Sequence, residues 1–200
     1  MINYAVKHRY SYTRWKKVVK NMIYKEPGNT KVHQLRVIHI YESDLNFLLG
    51  LKWKQGLHHS LKHDLIHEGQ YGSIPGKQAQ TVCLLEELRL DYSLMTRTPF
   101  TNFDSDLTSC YDRILLPLSS LIARGFGIHQ NVVFVHAHTL EEAEFKLKLG
   151  TTVSNTSYRH CTKFPIYGSG QGSFSSPTIW AFISTKLFNC FDELAYGMHI

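Results

Sequence analysis

Two stretches rich in β-branched residues, WKKVVKNMIYK (15–25) and KVHQLRVIHIY (31–41), flank the turn sequence EPGN (26–29). Apolar and polar residues tend to alternate in both. That suits extended strands, whose successive side chains point to opposite faces. Pro27 and Gly28 fit a tight reversal between them. The pattern predicts an antiparallel hairpin studded with Lys and Arg. Ser43 is then expected to cap a helix through LNFLLGLKW, with Phe47, Leu48 and Leu51 on one face. GQYGSIPG (69–76) reads as a loop. Residues 77–97 read as an amphipathic helix carrying Ala79, Val82, Cys83 and Glu86 at helical spacing. TPF (98–100) breaks that helix and leads into a short strand, TNFDSD. Pro117 suits the first turn of a helix that Gly125 can close. Residues 130–148 are expected to form another helix. TTVS and YRHCTKF read as two short strands, and 178–194 as an apolar helix. The mixture indicates an α+β fold of antiparallel strands with packed helices.

Charge is uneven along this framework. Lys7, Arg9, Arg14, Lys16, Lys17, Lys20, Lys25, Lys31 and Arg36 fall in a segment whose only acid is Glu26, interleaved with Tyr4, Tyr10, Tyr12, Trp15 and Tyr24. The whole chain has a formal net charge of +6. Basic and aromatic side chains together suit a nucleic-acid backbone and its bases. A solvated strand face with its aromatics turned inward is the alternative. With 43% apolar and 19% charged residues the chain reads as globular. Cys83, Cys110, Cys161 and Cys190 form no CxxC pair and no disulfide framework, which fits a reducing compartment. No stretch is apolar enough to span a bilayer and the N-terminus has no signal-peptide core, so the expectation is an intracellular protein without a membrane partner.

Three features carry candidate chemistry. His59, His63 and His67 stand at i, i+4 and i+8, one face of a helix and a spacing usable by zinc, although no fourth ligand is evident. GSGQGS (168–173) lacks the Gly-Lys-Ser/Thr of a Walker loop and reads as a flexible loop entering a helix. NFDSDLTSCYDRI (102–114) clusters Asp104, Asp106 and Asp112. Parsed as D-x-D-x-T, it matches the first motif of haloacid-dehalogenase-type phosphatases, with Asp104 as nucleophile and Asp106 as general acid. The downstream Lys and acidic pair of those enzymes have no counterpart here.

Parsed from Asp106, the same stretch resembles motif A of reverse transcriptases, in the non-LTR retrotransposon and group II intron branch. GSGQGSFSSP (168–177) is similar to their motif B, G-x-x-Q-G-x-x-x-S-P. GQYGSIPGK (69–77) looks like their Q-F-G-F-R-P-G-R motif, and the hairpin ending in LRVIHIYE stands where Y-R-P-I-S-L is expected. The four matches fall in family order over about residues 15–190. The resemblance implies the fingers and partial palm of a right-hand polymerase. It places fingers at 1–98, a palm strand with motif A at 99–113, fingers and palm helices at 114–150, and partial palm with motif B at 151–200, with no thumb.

The implied reaction is RNA-templated DNA synthesis on an RNA or DNA template-primer with deoxynucleoside triphosphates. It uses two Mg²⁺ ions, or Mn²⁺ in their place. By resemblance Asp106 is the catalytic carboxylate and a metal ligand, joined by the Leu107 carbonyl. Tyr111 is the gate beneath the sugar, Lys25 and Arg36 neutralise the triphosphate, and Gln171 and Gly172 hold the nucleotide. Asp112 is expected to cap a helix. Ile74 and Val37 depart from the family's Arg and Pro. The residues after Pro177 contain no aromatic-x-Asp-Asp, the second acidic motif. The expectation is therefore a truncated, catalytically incomplete domain. A non-catalytic nucleic-acid-binding retroelement remnant is the alternative.

Overall fold

The computed structural model describes residues 2–28, 31–102, 106–107, 109–163, 165 and 167–194. Among them are six α-helices and one five-stranded mixed sheet. After helix α1 (Ile2–His8), strands β1 (Lys17–Tyr24) and β2 (Leu35–Ile40) form the expected antiparallel hairpin, registered from Val19↔Ile40 to Tyr24↔Leu35. Trp15 sits just ahead of β1 in a 3₁₀ turn and is fully buried. Its indole N–H donates to Asp44 Oδ1 at 2.9 Å, and the same oxygen accepts from the Leu45 amide. Helix α2 (Ser43–Lys62) starts there, and the Ser43 side chain does not cap it.

Helix α3 (Ala79–Thr96) follows the loop at 69–76 as expected and ends at Arg97, whose φ is +55°. Val82 and Glu86 face inward only partly, and Ala79 and Cys83 are exposed. The described residues of TNFDSD form no strand. A 3₁₀ turn (Cys110–Arg113) precedes helix α4 (Leu116–Gly125), which has Pro117 in its first turn.

The helix expected at 130–148 is two elements. Helix α5 (Gln130–Glu141) stops, Ala143 is buried at the corner, and β3 (Glu144–Leu149) runs parallel to β1, with Lys17↔Glu144 through Met22↔Leu149 in register. EFKLKL alternates with period two, and its glutamate and lysines invite a reading as a helix surface. Pairing with β1 decides for the strand. The sheet is thus mixed, not wholly antiparallel. Strands β4 (Thr152–Val153) and β5 (Tyr158–Arg159) both pair antiparallel with β3, and helix α6 (Ser176–Glu193) closes the described chain.

One hydrophobic cluster joins Trp15, Val18, Leu48, Trp53, Phe126, Val135, Phe145 and Phe182. It draws on stretches expected to be fingers and on stretches expected to be palm. Phe126 and Phe182 stack at 4.3 Å, 4° from parallel. Ile74, which departs from the family's Arg, is buried in this core. No described helix is long and apolar enough to cross a membrane, and all four cysteines are free.

Candidate nucleic-acid interface

Residues paired across neighbouring strands lie on the same face of a sheet. The registers Lys17↔Glu144, Val19↔Lys146, Asn21↔Lys148, Ile23↔Arg36 and Glu144↔Arg159 therefore collect Lys17, Arg36, Lys146, Lys148 and Arg159 on one face. All but half-buried Lys148 are exposed, and no described helix covers them. Glu144 is the single carboxylate on the described face. A 2.6 Å hydrogen bond from Ser157 Oγ holds its pKa below the ordinary value, and Arg159, Lys17 and Lys146 lower it further. Ile23 and Ile40 are exposed between the cations. Lys25 lies beyond the end of β1, exposed in the turn. No local pattern singles out Lys146, Lys148 and Arg159: EFKLKL reads as part of the helix expected at 130–148, and the strand expected in YRHCTKF does not reveal its partner.

Much of the N-terminal positive charge has other work. Arg14 pairs with Asp44, Lys16 with Glu142, and Arg9 Nε donates to Asn131 Oδ1 at 2.8 Å. Lys20 points to the opposite, inner face, with its ammonium 4.2 Å from the Phe145 ring centroid. The aromatics are not interleaved with the outer cations. Tyr4, Tyr10, Tyr12 and Trp15 make a chain of edge-to-face contacts, and Tyr24 pairs with Leu35 on the inner face.

The loop resembling motif B is tightly built rather than flexible. Gly168, Gly170 and Gly172 all have positive φ. A Cβ on Gly168 would come 2.7 Å from the Tyr111 carbonyl oxygen. One on Gly170 would collide with the Tyr41 hydroxyl, and one on Gly172 with the His39 carbonyl oxygen. The loop thus lies between β2 and the turn Cys110–Arg113. Two of its amides take part in this docking: Gly168 N–H donates to Ile114 O at 2.9 Å and Ser169 N–H to Tyr111 O at 3.0 Å. The Gln171 carbonyl accepts from the His39 amide, and the Gly172 carbonyl from Asn46 Nδ2 at 3.0 Å. Ser176 Oγ closes the loop onto the Gly170 carbonyl at 2.8 Å. Gln70, in the third resembling segment, is buried and accepts from Ser184 Oγ of α6 at 2.6 Å.

The structure therefore brings segments 35–41, 110–114 and 168–176 together. Gln171 and Tyr111 are half-buried beside this junction, and burial raises the Tyr111 pKa. Asp112 does not cap a helix. It is half-buried; that burial raises its pKa and nearby Lys20 lowers it. Burial lowers the pKa of Lys20, which Asp112 offsets.

Asp106 and Leu107 are exposed, outside any regular element. They line a 450 Å³ cavity with Arg113, Leu118, Trp180 and Ile183, and Asp106 is the one carboxylate among its described lining residues. No described group of three or more His, Cys, Asp or Glu residues is arranged to hold a metal ion. A two-magnesium centre needs several converging hard oxygen ligands, so the described residues do not fit one. Asp104, the phosphatase candidate, lies outside the described residues. The histidine series breaks up because α2 ends at Lys62. His59 and His63 keep ring contact at 4.4 Å, while His67 Nε2 turns to Asp192 Oδ2 at 2.8 Å. No protein-family model matches this sequence, and no curated protein matches it.

Proposed function

We propose that this chain is a reverse-transcriptase-like fingers and partial-palm unit that binds nucleic acid and, as these 200 residues, does not catalyse strand synthesis. The observation that carries the binding half is the exposed outer sheet face, where five cations meet one carboxylate. Such a face neutralises backbone phosphates and releases their counterions. The family half is supported by the four ordered motif resemblances and by the contacts between the motif-A-like turn, the motif-B-like loop and the hairpin. The non-catalytic half is supported by the lack of an aromatic-x-Asp-Asp among the residues after Pro177, and by Asp106 being the one carboxylate among the described residues that line its cavity.

The test is binding of a single-stranded and a duplex oligonucleotide across a salt series. With Lys25 and the five face cations engaged, log K against log salt should have a slope of about −4 on single strands and about −5 on duplex. Arg36→Ala and Lys146→Ala should each flatten it by about one contact, roughly 0.7 to 0.9. Salt-insensitive binding, or none, rejects the interface. Robust primer extension by the purified chain with Mg²⁺ rejects the non-catalytic assignment.

A further inference from the structure

A cleft of 710 Å³ opens where α1, α2 and the start of α5 pack on one another, within the range that holds small organic ligands. Its floor is apolar, made by half-buried Val6 and by buried Ile128 and Val132. Its walls carry Lys7 of α1, Lys52, Gln55 and His59 of α2, and His129 and Asn131 at the start of α5. None of its described lining residues belongs to the sheet, to the glycine-rich loop or to a segment that resembles a polymerase motif.

The polar groups of the walls are one-sided. Gln55 Oε1 accepts from Lys52 Nζ at 3.4 Å, and Asn131 Oδ1 accepts from Arg9 Nε at 2.8 Å. Both amide oxygens are therefore engaged, and the amide nitrogens remain as donors. His129 Nδ1 accepts from the Asn131 backbone amide at 3.1 Å, so Nε2 carries the ring proton and donates as well. Lys7 and Lys52 can only donate, and neither joins an ion pair among the described residues. Asn3 can turn either end of its amide inward. No carboxylate is among the described lining residues.

Unbalanced cations in a concave site focus the potential there and draw anions to it. Their donors bind an ionised oxygen more strongly than a neutral one. Lys52, Gln55 and His59 stand at i, i+3 and i+7 on one face of α2, a span of about 10 Å. Lys7 and His129 approach from two other elements. A lone small anion would leave most of these donors unmet, and the apolar floor suits a carbon frame between charged ends. Phosphate offers three strong acceptor oxygens where carboxylate offers two, which matches the surplus of donors. We propose that this cleft binds a small carbon-framed molecule with a phosphate at each end, of the size and chemistry of a sugar bisphosphate. The site stands apart from the outer sheet face and does not depend on nucleic-acid binding there.

The probe is fructose 1,6-bisphosphate, with fructose as the control that lacks phosphate and citrate as the carboxylate counterpart. Each is titrated into the full chain and followed by calorimetry and by ¹⁵N NMR of the side-chain amides. Saturable binding of the bisphosphate at one site is expected, with shifts of the Gln55 and Asn131 amide resonances. Citrate should bind at least about tenfold more weakly, and fructose not at all. Lys52→Met keeps the apolar stem but removes the charge, and should weaken binding about tenfold. Lys7 is exposed and its loss should not unfold the chain. Lys7→Ala should weaken binding about fivefold, and it carries the test if Lys52→Met does not fold. No saturable binding, equal binding of fructose or citrate, or binding unchanged in the folded variants would overturn the proposal. So would displacement of the bisphosphate by a single-stranded oligonucleotide together with loss of oligonucleotide binding in Lys52→Met, since the cleft would then belong to the nucleic-acid interface.

Discussion

Gly172→Ala tests whether the glycine-rich loop is a docked structural element. Gly172 has φ +113°, a region that L residues rarely adopt, and holding alanine there costs about 1–3 kcal/mol. The new Cβ would also collide with the His39 carbonyl oxygen in β2, so strand and loop must separate. That separation threatens the bond from the His39 amide to the Gln171 carbonyl, worth about 1 kcal/mol. The sum is a loss of about 2–4 kcal/mol. For a chain of this size each kcal/mol lowers Tm by about 2–4 °C, so a drop near 10 °C is expected. Gly150→Ala is the matched control. Gly150 also has positive φ, +59°, but a Cβ there meets nothing within 4 Å, so only the backbone cost of about 1 kcal/mol applies. Urea unfolding followed by circular dichroism at 222 nm compares them. If Gly172→Ala is no more destabilising than Gly150→Ala, the loop is not clamped against β2.

Acid should destabilise the fold through two histidines. His39 and His136 are buried, and burial depresses both pKa values to about 4. Their contribution is complete above the unfolded value near 6.5 and is lost as pH falls toward 4, at about 1.4 kcal/mol per pH unit for each. NMR titration showing both rings near 6.5 would refute this. Asp112 has the opposite sign: burial raises its folded pKa, so its contribution is present at low pH and lost as pH rises through that value. Asp112→Asn should therefore gain stability relative to the parent between pH 4 and 7, and a gap that narrows with pH refutes it. Trp53→Ala removes a fully buried ring packed on His136 and Phe182, and should cost about 3–5 kcal/mol by denaturant unfolding; a loss below 1 kcal/mol would mean the core is misassigned.

Local signals sufficed where they were unambiguous. The hairpin was legible from β-branched alternation around EPGN, the start of α4 from Pro117, and the mixed helix and strand content from the change of period along the chain; the stop expected at Gly125 falls one residue later, at Phe126, with Gly127 at φ +87°. Lysine-rich EFKLKL was misread because its composition suits a helix surface, and only the parallel partner β1 decides its state. Asp112 looked like a cap because sequence shows its neighbours in the chain and not Lys20, which faces it from another element. The excess of basic residues at the N-terminus was visible in the sequence. Which of them reach solvent was not, since Arg14 and Lys16 find carboxylates at positions 44 and 142.

The sequence by itself determined where the chain can extend, coil and turn, because backbone sterics and side-chain periodicity act within a few residues. Only the tertiary structure decided which cations share one exposed face, that the glycines at 168, 170 and 172 are needed for close approach to β2 and the 110–113 turn, and that His39 lines a cavity. Those outcomes depend on strand register and on contacts between residues far apart in the chain, and no local pattern encodes either.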